Sequence, residues 1–233
     1  MNYKVAIIGT GQMGSILAHR IPGSARKVII GRRKAEAVEL ADEVGGVASD
    51  QMSAVRGCRV VFLAVPGSAI QQVLPEIQPH LDPGALVVNM ATNLMTGEIG
   101  VEGNLRLVAA KVIGHTREMK LGSPGVVVLD RVEPAEEELL EPLLEGLGPV
   151  TRGDERKVMA ANTAVVEVMV RAEAELRRRL EEAGLDAELV PVAIGSAAPG
   201  VLRAVARGEL GPFAQEIVRK MGAGETAASR VSH

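Results

Sequence analysis

Six short apolar runs recur along the chain, most of them separated by a stretch of helical character: "KVAII" (4–8), "KVIIG" (27–31), "RVVFLAV" (59–65), "ALVVNM" (85–90), "LRLVAAKVI" (105–113) and "GVVVLD" (125–130). They are rich in β-branched residues, and the first four lack the polar alternation of a strand that wets one face. Runs of that kind belong to parallel strands buried on both sides. The segments between them, "GSILAHRI", "AEAVELADEVG" and "GSAIQQVLPEIQPHL", carry apolar residues three and four apart, the spacing of helices that pack on such a sheet. The expected fold class is therefore α/β, with a doubly wound parallel sheet at the N-terminal side.

The texture changes after "GPVTRGDE". From Asp154 to Ala183 no Gly or Pro interrupts the sequence, which predicts one long helix. Val158, Ala161, Val165, Val168, Ala172, Leu176 and Leu180 fall on one face, and Met159, Val166, Met169 and Val170 make a second apolar strip beside it. Two strips need two partners, a small helical domain and a second copy of the chain. Short helices are expected at "AELVPVAIGSA", "PGVLRAVARG" and "PFAQEIVRKMG", and "GAGETAASRVSH" reads as a frayed tail. The predicted organisation is a sheet domain over residues 1–152, a small all-α dimerisation and substrate domain over 153–221, and a tail over 222–233.

Composition narrows the function classes. With 233 residues and 47% hydrophobic content the chain can fill a real core. A net charge of −3 and an aromatic complement of two Phe and one Tyr, with no Trp, argue against a nucleic-acid partner. Cys58 is the single cysteine, so no internal disulfide can form; no metal-ligand cluster stands out, and no run approaches membrane-spanning length. A cytoplasmic protein acting on a small molecule is expected.

The first apolar run leads straight into Gly9-Thr10-Gly11-Gln12-Met13-Gly14 and then a helix. A GxGxxG turn between strand and helix has a physical use. Gly9 makes the tight turn, Gly11 lets backbone approach a diphosphate, and Gly14 lets helix and strand pack closely, while the helix N-terminus offers free N–H groups to the phosphates. Residues 9 and 11–14 are the expected diphosphate site of a dinucleotide. At the end of the second run, where a carboxylate would take the ribose hydroxyls of NAD, stand Gly31-Arg32-Arg33-Lys34. Cations there suit a 2′-phosphate, so the expected cofactor is NADP(H). Ala64, Val65 and Pro66 close the third apolar run and should border the crevice, and Asn93 in "NMATNL" offers an amide to the nicotinamide or substrate.

With these segments the N-terminal part resembles the NADP-binding Rossmann domain of pyrroline-5-carboxylate reductases and of deazaflavin-dependent NADP reductases, and more distantly that of β-hydroxyacid dehydrogenases. "IIGTGQMG", "GRRKAEA", "LAVPGSAI" and the long helix after "GLGPVTRGDE" all fall where a pyrroline-5-carboxylate reductase has its counterparts. The resemblance implies an NADPH-dependent reductase of a small C=N or C=O substrate that forms homodimers, or rings of dimers, through its C-terminal helices. Where those reductases carry "RAMPNTP", this chain has Lys111 to Arg117, with Lys111 for the Arg, His115 for the Asn and Thr116 for the Thr. Where they carry "SGSGPA", it has Ala160 to Val165. The β-hydroxyacid dehydrogenases place a catalytic Lys in this helix, for which Lys157, with Asn162 five residues on, is the counterpart. His115, Lys111 and Lys157 are thus the candidate catalytic residues, the acid that a carbonyl reduction needs coming from His115 or Lys157. A β-hydroxyacid dehydrogenase-like enzyme, a deazaflavin-linked NADP reductase and an NADPH-binding sensor without turnover are the alternatives.

Overall fold

The computed structural model describes residues 3–100 and 103–228. Among them, eight strands form one sheet: β1 (Lys4–Ile8), β2 (Arg26–Ile30), β3 (Val47–Ser49), β4 (Cys58–Leu63), β5 (Leu86–Asn89), β6 (Arg106–Ile113), β7 (Val126–Asp130) and β8 (Val150–Arg152). Their order is β3-β2-β1-β4-β5-β6-β7-β8. All neighbours run parallel except β6 and β7, whose antiparallel register pairs Ile113 with Val126. The helices are α1 (Gln12–Arg20), α2 (Lys34–Val44), α3 (Gly67–Ile77), α4 (Thr116–Lys120), α5 (Pro134–Leu144), α6 (Glu155–Glu182), α7 (Val190–Arg207) and α8 (Pro212–Ala228).

Period-2 alternation sorts the strand residues between two apolar layers. Val5, Ile7, Ile29, Val60, Phe62 and Val88 face α1, α2 and α5 through Leu17, Leu40 and Leu143. Ala6, Ile8, Ile30, Val61, Leu63 and Val87 face α3 through Ile70, Leu74 and Ile77. Ile7, Ile29 and Phe62 are wholly buried, each worth about 1.5–3 kcal/mol relative to exposure. The missing polar alternation of these runs thus has its cause in two covered faces.

The six expected strands are present, each within two residues of its predicted ends, and α6 matches the predicted long helix. Two strands, β3 and β8, escaped the sequence reading because each is three residues long and lies on a sheet edge. The two helices expected on either side of Pro199 form one, α7, in which Pro199 is internal. Alanines at 193, 197, 198 and 204 favour helix strongly enough to carry it past one missing hydrogen bond. Helix α8 continues through Gly222 to Ala228, so the tail expected from residue 222 is helical in its first part, and residues 229–233 lie outside the described residues.

The chain divides into a unit over Met1–Ala164 and a unit over Val165–His233. The first three turns of α6 belong to the sheet unit: Val158 is fully buried, and Asn162 Nδ2 donates to Val112 O at 2.9 Å. In the second unit Val190 is the one fully buried apolar side chain among the described residues, whereas Val166, Val170, Val192, Phe213 and Met221 are each more than half exposed.

Gly14 fixes how closely α1 approaches β1. A side-chain carbon there would lie 1.9 Å from Gly9 O. Gly14→Ala is therefore expected to lower stability by about 1–3 kcal/mol, read as a drop in the urea midpoint.

Candidate functional site

The strand order reverses between β1 and β4, and at their C-terminal ends lies a groove of about 1050 Å³. In an open parallel sheet this is where ligands bind. Its floor is the β1–α1 turn, with Gly9, Thr10, Gly11 and, one turn on, Ser15; Gly31, Arg32 and Arg33 flank it from β2, and Ala64, Val65 and Pro66 from β4. The three glycines do different work. Gly9 has φ +118°, and a side chain on it would meet Ala64 O at 2.4 Å; Gly14 is blocked by Gly9 O. A side chain on Gly11 would meet nothing within 4 Å. Two glycines thus allow the backbone to pack, and the third leaves open space in front of the first turn of α1, whose N-cap, Gly11, makes no side-chain capping bond.

The basic cluster after β2 is not uniform. Arg33 pairs with Glu36 at 2.6 Å, and Glu36 also accepts a hydrogen bond from Thr10 Oγ1 at 3.0 Å. Arg32 is exposed on the groove wall, whereas Lys34, the first residue of α2, is exposed away from it. The Arg33–Glu36 pair is solvent-exposed and so worth at most about 1 kcal/mol, little enough for Arg33 to change partner. Glu36 was absent from the sequence reading, as were Ser15 and the wall formed by Gln51, Met52 and Ser53. The signal for Glu36 was its position in the first turn after the arginines. The side chains of Gln12 and Met13 have other partners: Gln12 Oε1 accepts from Thr116 Oγ1, and Met13 packs against the core.

Beyond Pro66 the edge is closed by the segment after β5. Asn93 is exposed, with Oδ1 2.8 Å from the point where a side chain on Gly67 would begin. Beneath it lies a buried polar network. Asn89 Nδ2 donates to Leu94 O and to Thr96 Oγ1, both at 3.0 Å, and Asn89 Oδ1 accepts from Ala91 N at 2.9 Å. Glu155, at the start of α6, accepts from Thr96 N at 2.7 Å and from Thr96 Oγ1 at 2.9 Å. Lys111 Nζ lies 3.4 Å from Glu155 Oε2 and donates to Leu94 O at 2.9 Å and to Ala91 O. Burial pushes Lys111 down to about 8 against the opposing pull of Glu155.

The three candidate catalytic residues do not converge. Lys111 is wholly buried, and its ammonium holds the 91–94 backbone through the carbonyls of Ala91 and Leu94. A lysine inside an otherwise apolar run must find a carboxylate, which was the signal for Glu155. Lys157 follows Glu155 by two residues, about 200° around the helix, and is exposed on another side of α6. Asn162, considered with it, spends its amide on Val112 O, the strand position that has passed the end of β5. His115 is exposed at the start of α4, on the same edge of the sheet as the groove. No cluster of His, Cys, Asp and Glu suited to a metal ion is present among the described residues.

Residues 4–93 match the family described as NADP oxidoreductase, coenzyme F420-dependent. The matched segment spans β1 to the loop after β5 and so contains the whole groove floor. A glycerol-3-phosphate dehydrogenase [NAD(P)+] of Moorella thermoacetica is 27% identical over 151 residues, covering 55% of this chain and 45% of the enzyme. The chain thus spans less than half the length of such curated relatives. Over nearly its full length it shares the fold of a pyrroline-5-carboxylate reductase from Coxiella burnetii, with a TM-score of 0.72, 17% identity, and coverage of 99% of this chain and 94% of the other. The Plasmodium falciparum pyrroline carboxylate reductase, solved with NADP bound, superposes with a TM-score of 0.62 at 17% identity, covering 99% and 92%. The expected architecture, a doubly wound sheet followed by helices, is the one observed.

Because burial lowers Lys111 in the folded chain, the unfolded chain binds more protons between about pH 8 and the ordinary lysine value of 10.5. This residue's contribution to stability therefore rises with pH across that window, by at most about 1.4 kcal/mol per unit. Urea titrations at pH 8 and 9.5 should show that slope in the native sequence and a flatter one in Lys111→Met/Glu155→Gln.

Proposed function

We propose that this protein is an NADPH-dependent oxidoreductase that reduces a small C=N or C=O substrate, in the manner of a pyrroline-5-carboxylate reductase. The observation that carries the reading is the Gly9–Gly14 turn at the reversal of strand order, with an exposed arginine, Arg32, beside it on the groove wall. The first-turn N–H groups of α1 hold the diphosphate. Arg32 grips the 2′-phosphate, and Arg33 joins it when Glu36 lets go, Thr10 keeping the carboxylate in place. The cofactor supplies the hydride. The match to solved reductases in fold, and to the NADP oxidoreductase family over the groove, supports this assignment.

Imine and carbonyl substrates ask different things of this edge. A protonated imine that accepts hydride becomes a neutral amine and asks for no acid, whereas an alkoxide must be protonated. Lys111 is committed to loop carbonyls and Glu155, which leaves His115 as the exposed proton donor on this edge. The family match over residues 4–93 favours a second reading, hydride exchange with a deazaflavin.

A homodimer, alone or in a ring of dimers, completes the proposal. Among the described residues the second unit has almost no buried apolar side chain of its own, and a second copy supplies the missing core. Cys58 is buried and free, which suits a reducing cytoplasm, and no helix among the described residues is long and apolar enough to cross a membrane.

Arg32→Glu should weaken NADPH binding about tenfold or more, the loss of a charge-assisted phosphate contact, and leave NADH binding within twofold; equal losses would remove Arg32 from phosphate selection. Gly11→Ser should keep the fold, since Ser caps a helix well, yet abolish binding of both dinucleotides in calorimetry. Incubation with NADPH and a panel of cyclic imines, 2-oxo acids, aldehydes and a deazaflavin identifies the acceptor; no NADPH oxidation with any of them would overturn the assignment.

A further inference from the structure

This inference rests on the dinucleotide reading above. With the 2′-phosphate beside β2 and the diphosphate over the β1–α1 turn, the sheet order β2-β1-β4-β5 leaves the reacting ring only the side of β4 and β5. The wall on that side is the segment after β5. Asn93 Oδ1 and Leu94 Cβ stand 2.8 and 2.9 Å from the point where a side chain on Gly67 would begin, immediately after Pro66 of the groove wall.

That segment is held from below by two buried ionisable side chains. Lys111 donates to its carbonyls at Ala91 and Leu94, and Glu155 takes both the N–H and the hydroxyl of Thr96. Lys111 is 0% and Glu155 4% exposed. A buried ion pair is a poor source of stability, because its desolvation cancels most of the attraction, and an apolar pair would anchor a loop more cheaply. Its distinctive property is directional: an ammonium with carbonyl and carboxylate acceptors, and a carboxylate with paired donors, fix backbone at particular positions. The positions fixed here flank Asn93 on both sides.

We infer that Lys111 and Glu155 are positioning residues, which set the height of the 91–96 segment over Gly67 and so shape the seat of the nicotinamide ring without touching it. Their removal is felt by the nicotinamide half of the cofactor and not by the adenosine half.

The test separates the two halves. The full-length chain and its Lys111→Met and Glu155→Gln variants are titrated with NADPH, following the emission of the dihydronicotinamide, and with 2′,5′-ADP, which carries the adenosine and phosphate contacts but no nicotinamide. The expected result is an NADPH affinity about tenfold lower, with a smaller emission change on binding, while 2′,5′-ADP binding stays within twofold. Thr96→Ser, which keeps the N–H and the hydroxyl, should behave as the native sequence. Parallel losses for both ligands would show a general structural role and overturn the inference, as would unchanged NADPH binding in both variants. A native chain that binds neither ligand would instead sink the dinucleotide reading itself, and the inference with it.

Discussion

Where Gly14 meets the carbonyl of Gly9, there is room for a hydrogen and nothing larger. This contact lets α1 start directly above the end of β1, and Gly9 in turn lets the same turn lie against Ala64 at the end of β4. Move either and the groove loses its floor. The two glycines draw three pieces of main chain together at the place where the sheet reverses its order, so the open space at Gly11 faces a fixed arrangement of donors rather than a flexible loop.

A second constraint is polar. The network of Asn89, Thr96, Lys111 and Glu155 has no orphaned atom among its buried side chains, and its last member opens α6. The main-chain N–H of Glu155 donates to Asp130 Oδ2 at 3.0 Å, and Asp130 Oδ1 accepts from Arg131 N at 2.7 Å. Arg131 is the single non-glycine residue with positive φ, at 64°, among the described residues. A strained turn, a helix start and the wall after β5 are therefore tied together by short-range hydrogen bonds, and a disturbance at one is passed to the others.

How much of this was legible in the sequence varies with the kind of interaction. The strands and α6 announced themselves because burial on two faces, or an uninterrupted helical period, leaves a pattern in consecutive residues. The glycine turn did so because its spacing is local. Glu36 and Glu155 left only indirect signs, a place in the turn after the arginines and a lysine in an apolar run: each matters through a partner far along the chain, Thr10 or Thr96 and Lys111, and no local period encodes that pairing. Lys111 shows the same gap from the other side. Its alignment with a functional arginine suggested chemistry, while its place inside an apolar strand pointed to burial, and burial won.

The single reversed strand has a consequence for how such a molecule can change. Because β7 runs against β6, the chain between Ile113 and Val126 returns on the same edge as the groove and needs no crossover behind the sheet. Within it Met119 of α4 is buried in the core layer beside α1, while Leu121, Gly122 and Pro124, between α4 and β7, are exposed. Residues can be gained or lost there without altering the order of the strands, so this margin is the one on which selection can remodel the acceptor end while the nucleotide end stays as it is.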